Sequence, residues 1–119
     1  MEIISHNNNY HYHKNTRGFN GFMTVRSNVK SIQNCISIEE QTNLAMEDLL
    51  KTLNDFGTCL DKLLSITIYL QSFEELDAFK KVWRQWFEDK QKPEPKHFVV
   101  ESPNQIKGMK LEIISTVAF

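Results

Sequence analysis

The sequence predicts an α+β fold in which one mixed sheet carries two helices on a single face. Two Ser-x-x-Glu boxes, Ser37-Ile38-Glu39-Glu40 and Ser72-Phe73-Glu74-Glu75, each open a stretch with apolar residues at helical spacing. Segments rich in β-branched residues lie before, between and after those stretches. The resulting order is strand, strand, helix, strand, helix, strand, strand, and 119 residues suit one domain spanning residues 1–119.

The first 30 residues carry the weakest pattern. β-Prone residues flank Asn20-Gly21, so a hairpin is expected with strands near residues 16–19 and 22–26. Residues 27–36 hold turn formers without periodicity and read as a loop with a short extended piece. The first capping box then starts a helix over residues 37–56. Its stripe is Leu44, Ala45, Leu49, Leu53 and Phe56, and Gly57 stands where a left-handed C-terminal residue belongs.

Ile66, Thr67, Ile68 and Tyr69 mark a strand over residues 63–70. The second box opens a helix to about Asp89, with Leu76, Phe79, Trp83, Trp86 and Phe87 on one stripe. That spacing identifies these aromatics as core rather than a base-stacking platform. Pro93 and Pro95 bar its continuation, and strands follow over residues 97–101 and 110–119. In the last strand Ile113, Ser115 and Val117 alternate with Ile114, Thr116 and Ala118, so both sides are largely apolar. Two helices cover one face of a sheet, and self-association is the simplest cover for the other.

Composition narrows the function classes. Fourteen Lys and Arg against fifteen Asp and Glu give a net charge of −1, without the cationic field that nonspecific nucleic-acid binding requires. No apolar run is long enough for a membrane span or a signal peptide, so a cytoplasmic, unprocessed chain is expected, with no membrane partner. Cys35 and Cys59 fit no metal or disulfide pattern and read as reduced thiols, and no base stands near Cys59 in sequence to make it a nucleophile. His11 and His13 would share one side of a strand, but no third ligand is spaced near them, and no metal site is expected.

The run Glu39-Glu40-Gln41-Thr42, Ala45, Leu49, Leu53, Phe56-Gly57, Leu60-Asp61, Thr67-Ile68-Tyr69-Leu70 and Phe79 to Phe87 resembles the Rid (reactive intermediate deaminase), or YjgF-like, family. The likeness covers residues 37–87 well and continues without a gap from Pro95 to Val117. It implies a chorismate-mutase-like, YjgF-type subunit assembled as a homotrimer, with the three sheets forming a central barrel and ligand clefts at the subunit interfaces. Active members hydrolyse imines and enamines to a 2-oxo acid and ammonia without a cofactor.

The family holds the substrate carboxylate with an Arg in a Pro-x-Arg segment, a role that suits the planar guanidinium fork. Here that segment is Pro95-Lys96-His97, so His97 stands at the anchor position. The family's Ser-Gly-Gln falls on Val25-Arg26-Ser27 and its helix Asn on Lys80; neither is retained. The glutamate that handles the hydrolytic water matches Glu112, and the early tyrosine matches Tyr12. The resemblance further implies a ligand contact at Val99.

If His97 and Glu112 face one cleft, they make a general acid/base pair suited to neutral pH, with Glu112 and His97 as the candidate catalytic residues. Otherwise His97 is a tolerated replacement in a cleft that only binds. Arg26, Tyr12, Lys80 and Val99 are the candidate ligand contacts, and Arg26 is the preferred substitute anion binder. The leading expectation is a divergent Rid-like homotrimer that acts on a small metabolite, with C=N or enamine hydrolysis as the reaction class. A non-catalytic ligand-sensing or partner-binding trimer that regulates a metabolic enzyme is the alternative. Endoribonuclease activity is a third reading, disfavoured by the charge balance.

Overall fold

A computed structural model describes residues 2–7, 10–14, 21–27, 37–103 and 108–118. The strands are β1 (Glu2–Asn7), β2 (Tyr10–Lys14), β3 (Gly21–Ser27), β4 (Leu63–Leu70), β5 (His97–Glu101) and β6 (Leu111–Ala118). The helices are α1 (Ile38–Asp55) and α2 (Leu76–Asp89). One six-stranded sheet forms in the order β1-β2-β3-β6-β4-β5. Only the β4–β5 pair is parallel, because α2 is the crossover that returns the chain in the same direction.

α1 begins as the capping box requires. The Ser37 side chain accepts a hydrogen bond from the Glu40 amide at 3.2 Å. At the other end Gly57 has φ +71°, and the amides of Gly57 and Thr58 donate to the carbonyls of Asn54 and Leu53. This pair of bonds is a Schellman closure, which needs a left-handed residue where glycine stands. The second box differs from expectation. Ser72 accepts from the Glu74 amide, but residues 73–75 make a 3₁₀ turn before α2 starts at Leu76. The Glu101 carboxylate accepts from the Phe73 amide at 2.8 Å, tying that turn to the end of β5.

The expected hairpin is present with a different first strand. β3 contains the anticipated residues 22–26, but it pairs with β2, Lys14 opposite Gly21. Residues 16–19 lie outside the described residues, as do residues 28–36, where a loop with an extended piece was expected. β1 was not anticipated, because its Ser5, His6 and Asn7 are poor strand markers.

Alternation sorts the central strands into two faces. Ile66, Ile68 and Leu70 of β4 and Leu111, Ile113, Ser115 and Val117 of β6 are fully buried beneath the helices. They meet Ala45, Met46, Leu49 and Leu53 of α1 and Phe79, Trp83 and Phe87 of α2. An irregularity between Leu63 and Ser65 inserts an extra residue in β4. Without it Leu63 and Ile66, three apart, would point to opposite faces; with it both pack on the core. Gln41, 1% exposed, donates from its amide to the Gly108 carbonyl and accepts from the Lys110 amide, both at 2.8 Å.

Two stability measurements follow. Trp83→Ala removes the largest fully buried side chain and is expected to cost about 3–5 kcal/mol in urea unfolding. Gly57→Ala meets no neighbour within 4 Å, so its cost is purely conformational, about 1–2 kcal/mol from the left-handed φ.

Candidate functional site

The opposite, outer face of the sheet is where candidate chemistry meets open surface. Along β6 its row is Glu112, Ile114, Thr116 and Ala118, all half-buried. Glu112 pairs in register with Tyr69 of β4, and Ile114 with Thr67. Directly opposed residues of antiparallel strands have Cβ atoms about 5 Å apart, so the Glu112 and Tyr69 side chains are neighbours. Beyond β4, Val100 lies beside Tyr69 and Phe98 beside Thr67. Phe98 is 57% exposed and Val100 41%, large apolar side chains next to a carboxylate and a phenol. On the other flank Arg26 pairs with Ile114, which puts its backbone diagonally across from Glu112.

Tyr69 was not singled out from the sequence, although the signal was there. Ile66, Ile68 and Leu70 share one parity and Thr67 and Tyr69 the other, so a strand with its apolar set buried presents the threonine and tyrosine outward.

The remaining expected site residues lie elsewhere. His97 is in register with buried Ile66, on the inner face. Its ring centroid is 5.0 Å from that of Trp83, and Nδ1 is 2.8 Å from the Pro95 carbonyl oxygen. Within one chain, then, His97 and Glu112 do not form the expected acid/base pair. They occupy opposite faces with β4 between their strands, because their register partners Ile66 and Tyr69 have opposite parity. Val99, also on the inner face, packs against the core. Lys80 lies on α2, lining a polar surface groove with Asp77, Arg84 and Glu88. Tyr12 pairs with Met23, whose other partner is Val117, so it takes the register of the inner row. Of the candidates, only Glu112 and the register position of Arg26 come together on the outer face.

Among the described residues no group of three His, Cys, Asp or Glu is placed to hold a metal. No helix among them is long and apolar enough to cross a membrane.

The family model described as Endoribonuclease L-PSP matches residues 8–119. The chain belongs to this family, the YjgF or Rid group. A curated relative, the mitochondrial protein mmf2 of Schizosaccharomyces pombe, is 32% identical over 80 residues, which span 65% of this chain and 61% of that protein. Among solved structures, Escherichia coli TdcF with bound serine superposes with a TM-score of 0.71 at 16% identity, covering 82% of this chain and 80% of that one. The Rid-family protein YyfA of Yersinia pestis gives 0.70 at 21% identity, covering 85% and 82%. At such identities the two structures establish the fold alone.

The placement of His97 generates its own measurement. His97→Ala removes a ring packed at a tilt of 50° against Trp83 and is expected to lower unfolding free energy by about 1–2 kcal/mol, whereas His97→Phe keeps most of it. Equal stability of wild type and His97→Ala would show that the ring contributes no packing.

Proposed function

We propose that this protein is a divergent Rid-family homotrimer in which the outer sheet faces line a central barrel and small-metabolite clefts open at the subunit interfaces. The observation that carries this is the outer face itself, where exposed Phe98 and Val100 adjoin the Glu112–Tyr69 pair, on the side of the sheet away from α1 and α2. A second subunit would remove those apolar side chains from water and enclose the carboxylate.

In such a cleft the reaction would be hydrolysis of an imine or enamine to a carbonyl compound and ammonia. For the imine, the Glu112 carboxylate takes a proton from water as its oxygen bonds to the imine carbon. The C=N π electrons go to nitrogen, which takes that proton back from Glu112 to give the carbinolamine. Glu112 then moves the hydroxyl proton to nitrogen as the C–N bond breaks, so that ammonia leaves, the oxygen becomes a carbonyl and the carboxylate is regenerated. Tyr69 would orient the water or the substrate, and Arg26 would hold the anionic group of the substrate in place of the family's arginine. No cofactor is required for these steps. The relative solved with serine supports a ligand of amino-acid size.

His97 favours a second reading. The residue at the family's carboxylate anchor is an imidazole packed on the core side against Trp83, which suits a trimer that binds a ligand or partner without turning it over. The family's endoribonuclease description is the least supported, given a net charge of −1. We place the protein in the cytoplasm; its mitochondrial relative makes that organelle the alternative for fractionation to distinguish.

The test couples a threonine or serine dehydratase to its amino acid and follows 2-oxo acid formation. Micromolar protein is expected to accelerate it, and Glu112→Gln to abolish the gain; no acceleration by wild type rejects hydrolysis of these imines and favours the binding reading. Phe98→Glu is expected to convert a trimer to monomers in native mass spectrometry, and a wild-type monomer would reject the assembly.

A further inference from the structure

A groove of about 420 Å³ runs between α1 and α2 on the helical layer, across the sheet from Glu112. Its volume lies within the range of about 300–1,000 Å³ of small-molecule sites. Trp86 forms part of its wall, and the ring is fixed in place: the indole N–H donates to the Asn43 side-chain oxygen at 2.8 Å, across the two helices. Glu39 contributes a carboxylate from the first turn of α1. Asp89 contributes another from the last turn of α2, oriented by a 2.7 Å hydrogen bond from the Gln85 amide.

One subsite already has an occupant from the chain. The Lys90 ammonium lies 4.6 Å from the centroid of the Trp86 ring, in the geometry by which an indole face holds a cation. Lys90 is an exposed residue at the C-cap of α2, on a flexible four-carbon stem, so its ammonium is readily exchanged for water. With that side chain swung out, the charges left in the lining are Glu39, Asp89 and Lys81, a net −1. An aromatic face, a lining of that charge and a cation already held there define one ligand chemistry.

We infer that the α1–α2 groove binds a small organic monocation of the alkylammonium class, whose head replaces the Lys90 ammonium on the Trp86 face while Glu39 and Asp89 balance its charge. This site is independent of the proposed reaction on the sheet face. Its failure would leave that reading untouched.

The probe is choline, with 3,3-dimethyl-1-butanol as its uncharged isostere, titrated at constant ionic strength into the full-length protein while tryptophan emission is followed. Choline is expected to change the emission saturably and to bind at least about tenfold more tightly than the alcohol. Lys90→Ala, which removes the internal competitor, is expected to tighten choline about threefold or more. The double change Glu39→Gln and Asp89→Asn is expected to weaken it about tenfold. Trp86→Phe should silence the emission response, since Trp83 is buried in the core. No saturable response to choline, equal binding of the alcohol, or unchanged or weaker binding in Lys90→Ala overturns the inference. Trp86 also packs against the core, so if Trp86→Phe fails to fold, calorimetry on the double surface variant decides, and unchanged choline affinity there overturns it equally.

Discussion

Everything in this molecule is organised by the packing of β4 and β6 against α2. Ile66, Ile68 and Leu70 pair beside Ser115, Ile113 and Leu111, and the row is closed from above by Phe79, Trp83 and Phe87. Each such apolar side chain removed from water contributes about 1.5–3 kcal/mol, so the layer outweighs any cap or surface ion pair in the structure. The Lys92–Asp61 pair, at 2.7 Å but with both partners open to solvent, is worth under about 1 kcal/mol by comparison. Because both helices lie on one side of that layer, the parity of each strand residue decides whether it is core or surface. The site and the core are therefore the two faces of the same strands.

Where a local signal matched the physical cause of an element, the sequence was legible. Ser37 and Gly57 mark the ends of α1 because each closes orphan backbone groups by a bond its neighbours cannot supply. The limits of β4 and β5 follow from β-branched composition bounded by turn formers and prolines. The 3₁₀ turn before α2 was not legible, since its contact with Glu101 comes from 28 residues away. The identity of the strand paired with β3 was hidden for a similar reason. The Asn-Gly pair suggested a tight turn, yet the register that forms places Gly21 inside the strand opposite Lys14.

The candidate site was half legible. Glu112 was found through a family likeness, and the alternation of β4 would have added Tyr69. Within one chain His97 and Glu112 turn to opposite faces, which a residue-by-residue likeness does not reveal, because it carries position along the chain and not the face each strand turns outward. His97 sits beside Ile66 and faces the core, where its neighbour is an indole rather than a carboxylate. The His97 ring thus finds an aromatic contact inside the subunit.

The two hydrogen bonds of Gln41 bear on how signature positions in this family should be read. A side chain that must donate to one backbone carbonyl and accept from another amide two residues later has few substitutes. A carboxylate has no donor at neutral pH, a lysine no acceptor, and a leucine neither. Asparagine carries the right groups on a stem one methylene too short. Such a position would be held constant by architecture alone, and its invariance across relatives would say nothing about catalysis. The clasp also joins the first turn of α1 to the entry of β6, the strand that carries Glu112, so amide exchange at the two places is expected to rise and fall together.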